Sequence, residues 1–257
     1  MCLILFAYKS HPRYPLILAG NRDEFYDRPT AAAAFWEDAP QILAGRDLRC
    51  GGTWLGVTRH GKIAVLANHR EPKGLRTDAR SRGLLVGDVL LDERSGREHL
   101  ENLRRTASLY NGYSLVYGDV RELYYYSNRG AIPSEITPGI HGQSNDLLDV
   151  MWPKVVLGTA GLRRLLSSAS NPSPEELFAI LADRSVADDS RLPDTGIGLE
   201  KERILSPIFV KGPLYGTRSS TLVLIDSENI LTFVERTYNG SPNHYTTVEY
   251  RLDLNPD

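Results

Sequence analysis

Cys2-Leu3-Ile4-Leu5-Phe6-Ala7-Tyr8 and Leu16-Ile17-Leu18-Ala19-Gly20-Asn21-Arg22-Asp23-Glu24 open the chain. The apolar part of each run is apolar at odd and even positions alike. That pattern describes a strand covered on both faces; a half-wet strand would alternate. Between them lies Lys9-Ser10-His11-Pro12-Arg13-Tyr14-Pro15, dense in turn formers, so an antiparallel hairpin is the simplest connection. A turn centred near His11–Pro12 predicts Cys2 opposite Asn21, with Arg22 and Asp23 just beyond. Facing Cβ atoms of such a ladder are about 4.5–5.5 Å apart.

A cysteine in second place becomes the N-terminus when methionine is excised. It then carries a thiol and a free α-amine, with ordinary pKa values of about 8.5 and 7.7–8.0. A nucleophile and a proton acceptor thus sit on one residue. Arg22 offers a guanidinium fork that keeps its proton. Asp23 offers a carboxylate for the amine or for tuning the thiol. Asn21 and Asn68 offer amide donors to a developing oxyanion. Read without the hairpin, Cys2 is a small buried hydrophobe, and Asn21 to Glu24 form a solvated turn of weak ion pairs.

The 257 residues and 41% hydrophobic content are ample for a sizeable core, and the whole chain reads as a single α+β domain. Thirty Lys+Arg against 32 Asp+Glu, net −2, argues against a surface that coats nucleic acid. Two cysteines, Cys2 and Cys50, make no disulfide framework and suit a reducing compartment. No stretch reaches the roughly 18–20 apolar residues that span a bilayer, and Cys2–Tyr8 is too short, and lacks the basic flank, for a signal peptide core. These features together read as a soluble, cytoplasmic protein.

Gly51–Thr58 and Lys62–Asn68 flank His60-Gly61, a second hairpin that sets Asn68 opposite Thr53. Tyr113–Tyr117 and Glu122–Ser127 form a third across Gly118-Asp119. Helical spacing covers Ser81–Leu91, Gly96–Leu109, Trp152–Leu166 and Ser173–Ala182. Arg184–Glu202, broken by Pro193, Gly196 and Gly198, reads as a long loop. Strands return at Ser206–Val210, Thr217–Asp226, Ile230–Tyr238 and His244–Leu252. No metal-site, nucleotide-loop or serine-hydrolase signature is present. The six histidines are scattered, which argues against a zinc site.

Several stretches, in order, resemble the Transport and Golgi organisation protein 2 family, also called the NRDE family. They are Met1-Cys2, Asn21-Arg22-Asp23-Glu24-Phe25 with Arg28-Pro29, Gly45-Arg46-Asp47 and Gly51-Gly52-Thr53-Trp54-Leu55-Gly56. Further on come Asn68-His69-Arg70-Glu71-Pro72, Ser81-Arg82-Gly83, Ser144-Asn145 with Trp152-Pro153-Lys154, and Tyr215-Gly216-Thr217-Arg218. His69 stands where tyrosine is expected in many relatives. The resemblance implies the αββα four-layer sandwich of N-terminal nucleophile hydrolases, with mainly antiparallel sheets. By the same resemblance, penicillin V acylase and the bile salt hydrolases are analogues of that type. By that resemblance Cys2 is the nucleophile, Arg22 and Asp23 support it, Asn68 and Asn145 hold the oxyanion, and Arg218 is the late arginine. Asn21, Glu24, Arg28, Thr53, Trp54, Arg70 and Tyr215 are the ligand-contacting candidates. Two functions follow. One is a cysteine amidohydrolase for a linear or acyl amide that needs no cofactor. The other is a non-catalytic carrier of haem or of acyl-CoA or another lipid, matching the family's association with haem trafficking.

Overall fold

The odd residues of the first apolar run meet helices, and the even ones are buried too. In the computed structural model, which describes residues 2–94, 96–130, 133–168 and 171–255 and leaves out the Cys2 side chain, Leu3, Leu5 and Ala7 share a core with Leu162, Leu177 and Leu181. Ile4, Phe6 and Tyr8 are equally sealed from solvent. The expectations that rest on Met1 and on the Cys2 thiol lie outside the described residues.

The chain divides into two compact units. The first holds Met1–Asp27, Pro138–Ser144 and Leu148–Asp257, and the second holds Arg28–Thr137 and Asn145–Leu147. In chain order the strands are β1 (Cys2–Tyr8), β2 (Leu16–Phe25), β3 (Thr30–Trp36), β4 (Ala39–Asp47), β5 (Leu55–Thr58) and β6 (Ile63–Asn68). After helices α1 (Arg82–Leu91) and α2 (Gly96–Thr106) come β7 (Tyr113–Gly118), β8 (Leu123–Ser127), β9 (Ser134–Glu135) and β10 (Gly139–Gln143). Helices α3 (Pro153–Ser168), α4 (Pro174–Leu181) and α5 (Leu199–Leu205) precede β11 (Tyr215–Ile225), β12 (Ile230–Tyr238) and β13 (Tyr245–Asp253).

The first unit is a six-stranded antiparallel sheet in the order β10-β1-β2-β11-β12-β13, with α3 and α4 packed on its Leu3–Leu5–Ala7 face. The second is a seven-stranded antiparallel meander, β3 to β9 in sequence order. Its Ile42–Ala64–Leu115 face packs on Leu85, Val86, Val89 and Leu90 of α1 and on Leu103 of α2. The expected mixed α+β class with antiparallel sheets is what the chain adopts.

Register departs from expectation at both early hairpins. Cys2 pairs with Arg22, and Leu3 with Asn21. The connection is a seven-residue loop closed by Lys9 N–H donating to the Pro15 carbonyl (2.8 Å), so its centre falls on Pro12 and the ladder slips by one residue. A one-residue slip exchanges the faces of every side chain. Asn68 is not opposite Thr53; β5 begins at Leu55, which pairs with Val65, and Asn68 pairs with Tyr113 of β7. Thr53 N–H is diverted to the Gly83 carbonyl (3.0 Å).

Three further expectations are corrected. Ser206–Val210 is not a strand: Phe209 N–H bonds the Asp183 carbonyl and Val210 N–H bonds Thr217 Oγ1, which leaves no ladder to join. The expected loop at 184–202 contains the start of α5. Strands β3, β4, β9 and β10 lie in segments with no strand pattern assigned above. The α4 start follows expectation, with Ser173 and Glu176 forming a reciprocal capping box.

The glycine pairs are structural. A Cβ on Gly52 would sit 2.2 Å from the Gly83 carbonyl carbon, so two backbones touch where Gly51-Gly52 meets Ser81-Arg82-Gly83. Gly52→Ala forces that contact apart and is expected to destabilise the protein by about 2 kcal/mol or more in chemical denaturation. Gly161→Ala, which meets only the Ile180 side chain at 3.4 Å inside α3, is expected to be neutral or to stabilise by up to about 1 kcal/mol. Equal effects would contradict the backbone-contact account. The Tyr113 hydroxyl is buried with no hydrogen-bond partner among the described residues. Tyr113→Phe is therefore expected to hold or raise stability, by up to about 1 kcal/mol, and a clear loss would show that the hydroxyl is satisfied.

Candidate functional site

β2 lies between β1 and β11, and this places most of the candidates. Arg22 is the Cα partner of Cys2 on one side and of Ser219 on the other. Asp23, next along β2, pairs with Thr217. Adjacent residues of a strand point to opposite faces, so Arg22 and Asp23 leave β2 on opposite sides. Asn21 and Asp23 point to the helix-bearing side. Asn21 Nδ2 donates to the Leu181 and Ile208 carbonyls (2.9 and 3.0 Å), and its Oδ1 accepts from Ser220 Oγ (2.6 Å). Its amide is thereby committed to positioning the segment after α4.

Asp23 is 1% exposed. Oδ1 accepts a hydrogen bond from Thr217 Oγ1 at 2.7 Å, and Oδ2 stands 3.9 Å from Lys154 Nζ in the first turn of α3. Thr217 Oγ1 in turn accepts from Val210 N–H (3.0 Å), and Tyr215 Oη donates to the Asp23 carbonyl (2.8 Å). The carboxylate is thus gripped by β11 and faced by α3. Its charge is felt nearby: the Tyr26 phenol is pushed up, first by burial and then by Asp23.

Arg218 is the extra residue of a β-bulge, because Thr217 pairs with Asp23 and Ser219 with Arg22. A bulge re-aims a side chain that regular alternation would direct elsewhere. Arg218 reaches the Phe25 carbonyl (2.7 Å). Burial, and next the charge of neighbouring Arg22, draw its pKa downward. Glu24 is 3.9 Å from Arg22. Exposed Phe25 packs edge-on against Tyr215 at 5.2 Å. Beside it Leu214 is also exposed, its carbonyl accepting from Tyr26 N–H.

The second unit holds the other candidates. Asn145 Nδ2 donates to the Asn68 carbonyl (2.8 Å), and Arg70 N–H donates to the Asn145 carbonyl (2.9 Å), so Asn68, Arg70 and Asn145 come together. His69 braces this edge through Nε2 to Ser114 Oγ and Ser127 Oγ (3.1 and 3.2 Å), and Ser114 Oγ also bonds the Asp146 carbonyl. Arg28, Thr53 and Trp54 serve the local framework. Arg28 forks onto Asp47 (2.5 and 3.2 Å) and touches Cys50 Sγ (3.4 Å), holding the turn into Gly51-Gly52. Thr53 Oγ1 donates to the Leu55 carbonyl, and the Trp54 carbonyl accepts from Leu66 N–H.

Sequence reasoning assigns no role to Lys154, the last residue of Trp152-Pro153-Lys154. The signal was there: a lysine in the first turn of a helix whose buried face is otherwise Val155, Gly158 and Leu162. Among the described residues no cluster of three or more His, Cys, Asp or Glu is placed to hold a metal ion, and no helix is long and apolar enough to cross a membrane.

Burial depresses the His69 pKa, against the smaller opposing pull of Asp146 and Glu71, and His99 is depressed by burial likewise. A base whose folded pKa lies below its unfolded value of about 6.5 gives stability that is whole above that pH. The stability is lost as pH falls from there toward the folded value. Thermal midpoints between pH 6.5 and 5 are expected to fall less steeply in His69→Gln than in the wild type, with His99 supplying the remaining slope. Identical slopes would show that His69 does not resist protonation.

The family model described as Transport and Golgi organisation 2 matches residues 1–240. The Transport and Golgi organization protein 2 homolog of Bos taurus is 36% identical over 275 residues, covering 98% of this chain and 99% of that protein. The Homo sapiens homolog is 34% identical, with 99% of both covered. Among solved structures, the mutant C2A conjugated bile acid hydrolase from Clostridium perfringens superposes with a TM-score of 0.51 at 8% identity, covering 99% of this chain and 98% of that one. At that identity the likeness concerns fold alone, and it agrees with the anticipated N-terminal nucleophile hydrolase type. On the extent of the family match and of these identities, the chain belongs to the Transport and Golgi organisation 2 family.

Proposed function

We propose that the protein is a cysteine amidohydrolase of the N-terminal nucleophile kind, with Cys2 exposed by removal of Met1. The observation that carries this reading is the pairing of Cys2 with Arg22 next to a buried, hydrogen-bonded Asp23. The fold likeness to the C2A mutant of conjugated bile acid hydrolase, which has a cysteine at its own second position before mutation, supports it. In the proposed reaction the thiol proton passes to the α-amine as sulfur attacks the amide carbonyl. The C–N bond then breaks, the amine returns the proton to the leaving nitrogen, and water hydrolyses the thioester to a carboxylic acid. Asp23 holds the amine. Arg22 and Arg218, with exposed Phe25 and Leu214 nearby, suit a substrate that is apolar and carries a negative charge. The two-cysteine composition supports a reducing, cytoplasmic setting.

That same arginine pair favours one alternative, in which the site holds haem or an acyl-CoA by its propionates or phosphates and does no chemistry. Purified protein with Met1 shown absent by intact mass is incubated with anionic fluorogenic fatty-acyl amides. Amine release is expected, at least about 100-fold faster than from Cys2→Ala. No release, together with a Soret change on adding haem or a thermal shift on adding acyl-CoA, would replace catalysis with carriage.

A further inference from the structure

We propose that Lys154 is a positioning residue of the Cys2 site: its ammonium fixes the Asp23 carboxylate and competes with the N-terminal amine for it. This rests on the N-terminal nucleophile reading given above. The geometry supplies the argument. Lys154 is 2% exposed and its Nζ stands 3.9 Å from Asp23 Oδ2. It occupies the second residue of α3, the end of a helix whose dipole repels a cation. A buried ammonium at such a place is doubly unfavourable and needs an ionised partner. Asp23 is held to that task, with Oδ1 tied to Thr217 and its backbone carbonyl to Tyr215. As an element of stability alone the pair is poorly chosen, since apolar residues of similar volume commonly serve as well or better. Its location suggests another use, because Asp23 follows the residue that faces Cys2.

Two cations that share one carboxylate weaken each other's hold on protons. While Lys154 carries its proton, the Cys2 amine gives up its own more readily and is available as the base. The thiol likewise ionises at lower pH. Among the other charged or titratable groups, Arg22 and Glu24 lie on β2 with Tyr26 just beyond it, Tyr215 and Arg218 lie on β11, and Arg163 and Arg164 of α3 and Glu176 of α4 are exposed. His141 on β10 is paired with Asp149 (2.8 Å), and Glu175 on α4 is paired with Arg236. Arg22 lies 3.9 Å from Glu24, and neither Arg22 nor Arg218 stands in the first turn of α3.

The test is the pH profile of Cys2 alkylation by iodoacetamide, followed by peptide mass spectrometry, with Cys50 as reference in the same molecule. In Lys154→Met the Cys2 midpoint is expected to rise by about one pH unit, while Cys50 is unmoved. Lys154→Gln is carried in parallel in case the apolar variant does not fold. Lys154→Arg is expected to keep the wild-type midpoint, because it keeps the charge. An unchanged midpoint in either folded neutral variant, or an equal rise in Lys154→Arg, overturns the role given to Lys154 and leaves the nucleophile reading intact. Met1 retained in the wild type, or Cys2 alkylated no faster than Cys50, overturns both.

Discussion

A carboxylate sealed from water constrains everything around it. Asp23 sits where β2, β11 and the start of α3 converge, and its burial is tolerable only because each of those elements brings something to it. β11 brings the Thr217 hydroxyl to the carboxylate and the Tyr215 phenol to the backbone carbonyl, and α3 brings an ammonium. The β1–β2 register then decides what this cluster can serve. With Cys2 opposite Arg22, the N-terminal end of β1 lies beside the guanidinium and one residue short of the carboxylate. The bulge at Arg218 belongs to the same arrangement, since it lets β11 grip Asp23 and still pair Ser219 with Arg22.

The parts legible in the sequence were those written by burial. Continuous apolar runs identified β1, β2, β6 and the Thr221–Ile225 part of β11 because both faces of those stretches are covered, and a Ser-Pro-Glu-Glu start identified α4. What the sequence concealed has physical causes. Thr30-Ala31-Ala32-Ala33-Ala34 pairs as a strand although alanine favours helix; its partner strand and two register irregularities accommodate it. The β1–β2 loop closes symmetrically about Pro12, and residue types alone do not count the loop. Ser206–Val210 is as apolar as any strand, but its donors and acceptors go to Asp183, Thr217 and Asn21.

The candidate site was legible in outline and not in detail. Asn21, Arg22, Asp23, Glu24, Tyr215 and Arg218 fall into one unit, and Asn68, Arg70 and Asn145 meet in the other. Their roles divide further than residue types suggest. Asn21 is spent on the Leu181 and Ile208 carbonyls, Arg28 on Asp47, and Gly52 on close contact with Gly83. Sequence spacing treats Arg22 and Asp23 as a unit, whereas the strand sends them to opposite faces, and only the second meets Lys154. A long-range pair such as Asp23 with Lys154, separated by most of a sheet and two helices, has no local signature beyond a charge in an apolar stripe.

The central claim is that the mature N-terminus is seated against Asp23. A crystal structure of the processed protein tests it most directly, through the distance from the Cys2 amine nitrogen to the Asp23 carboxylate. The account predicts a hydrogen-bonded separation of about 3 Å with the thiol open to solvent. An amine directed elsewhere and a sulfur enclosed in the core of the first unit would contradict it.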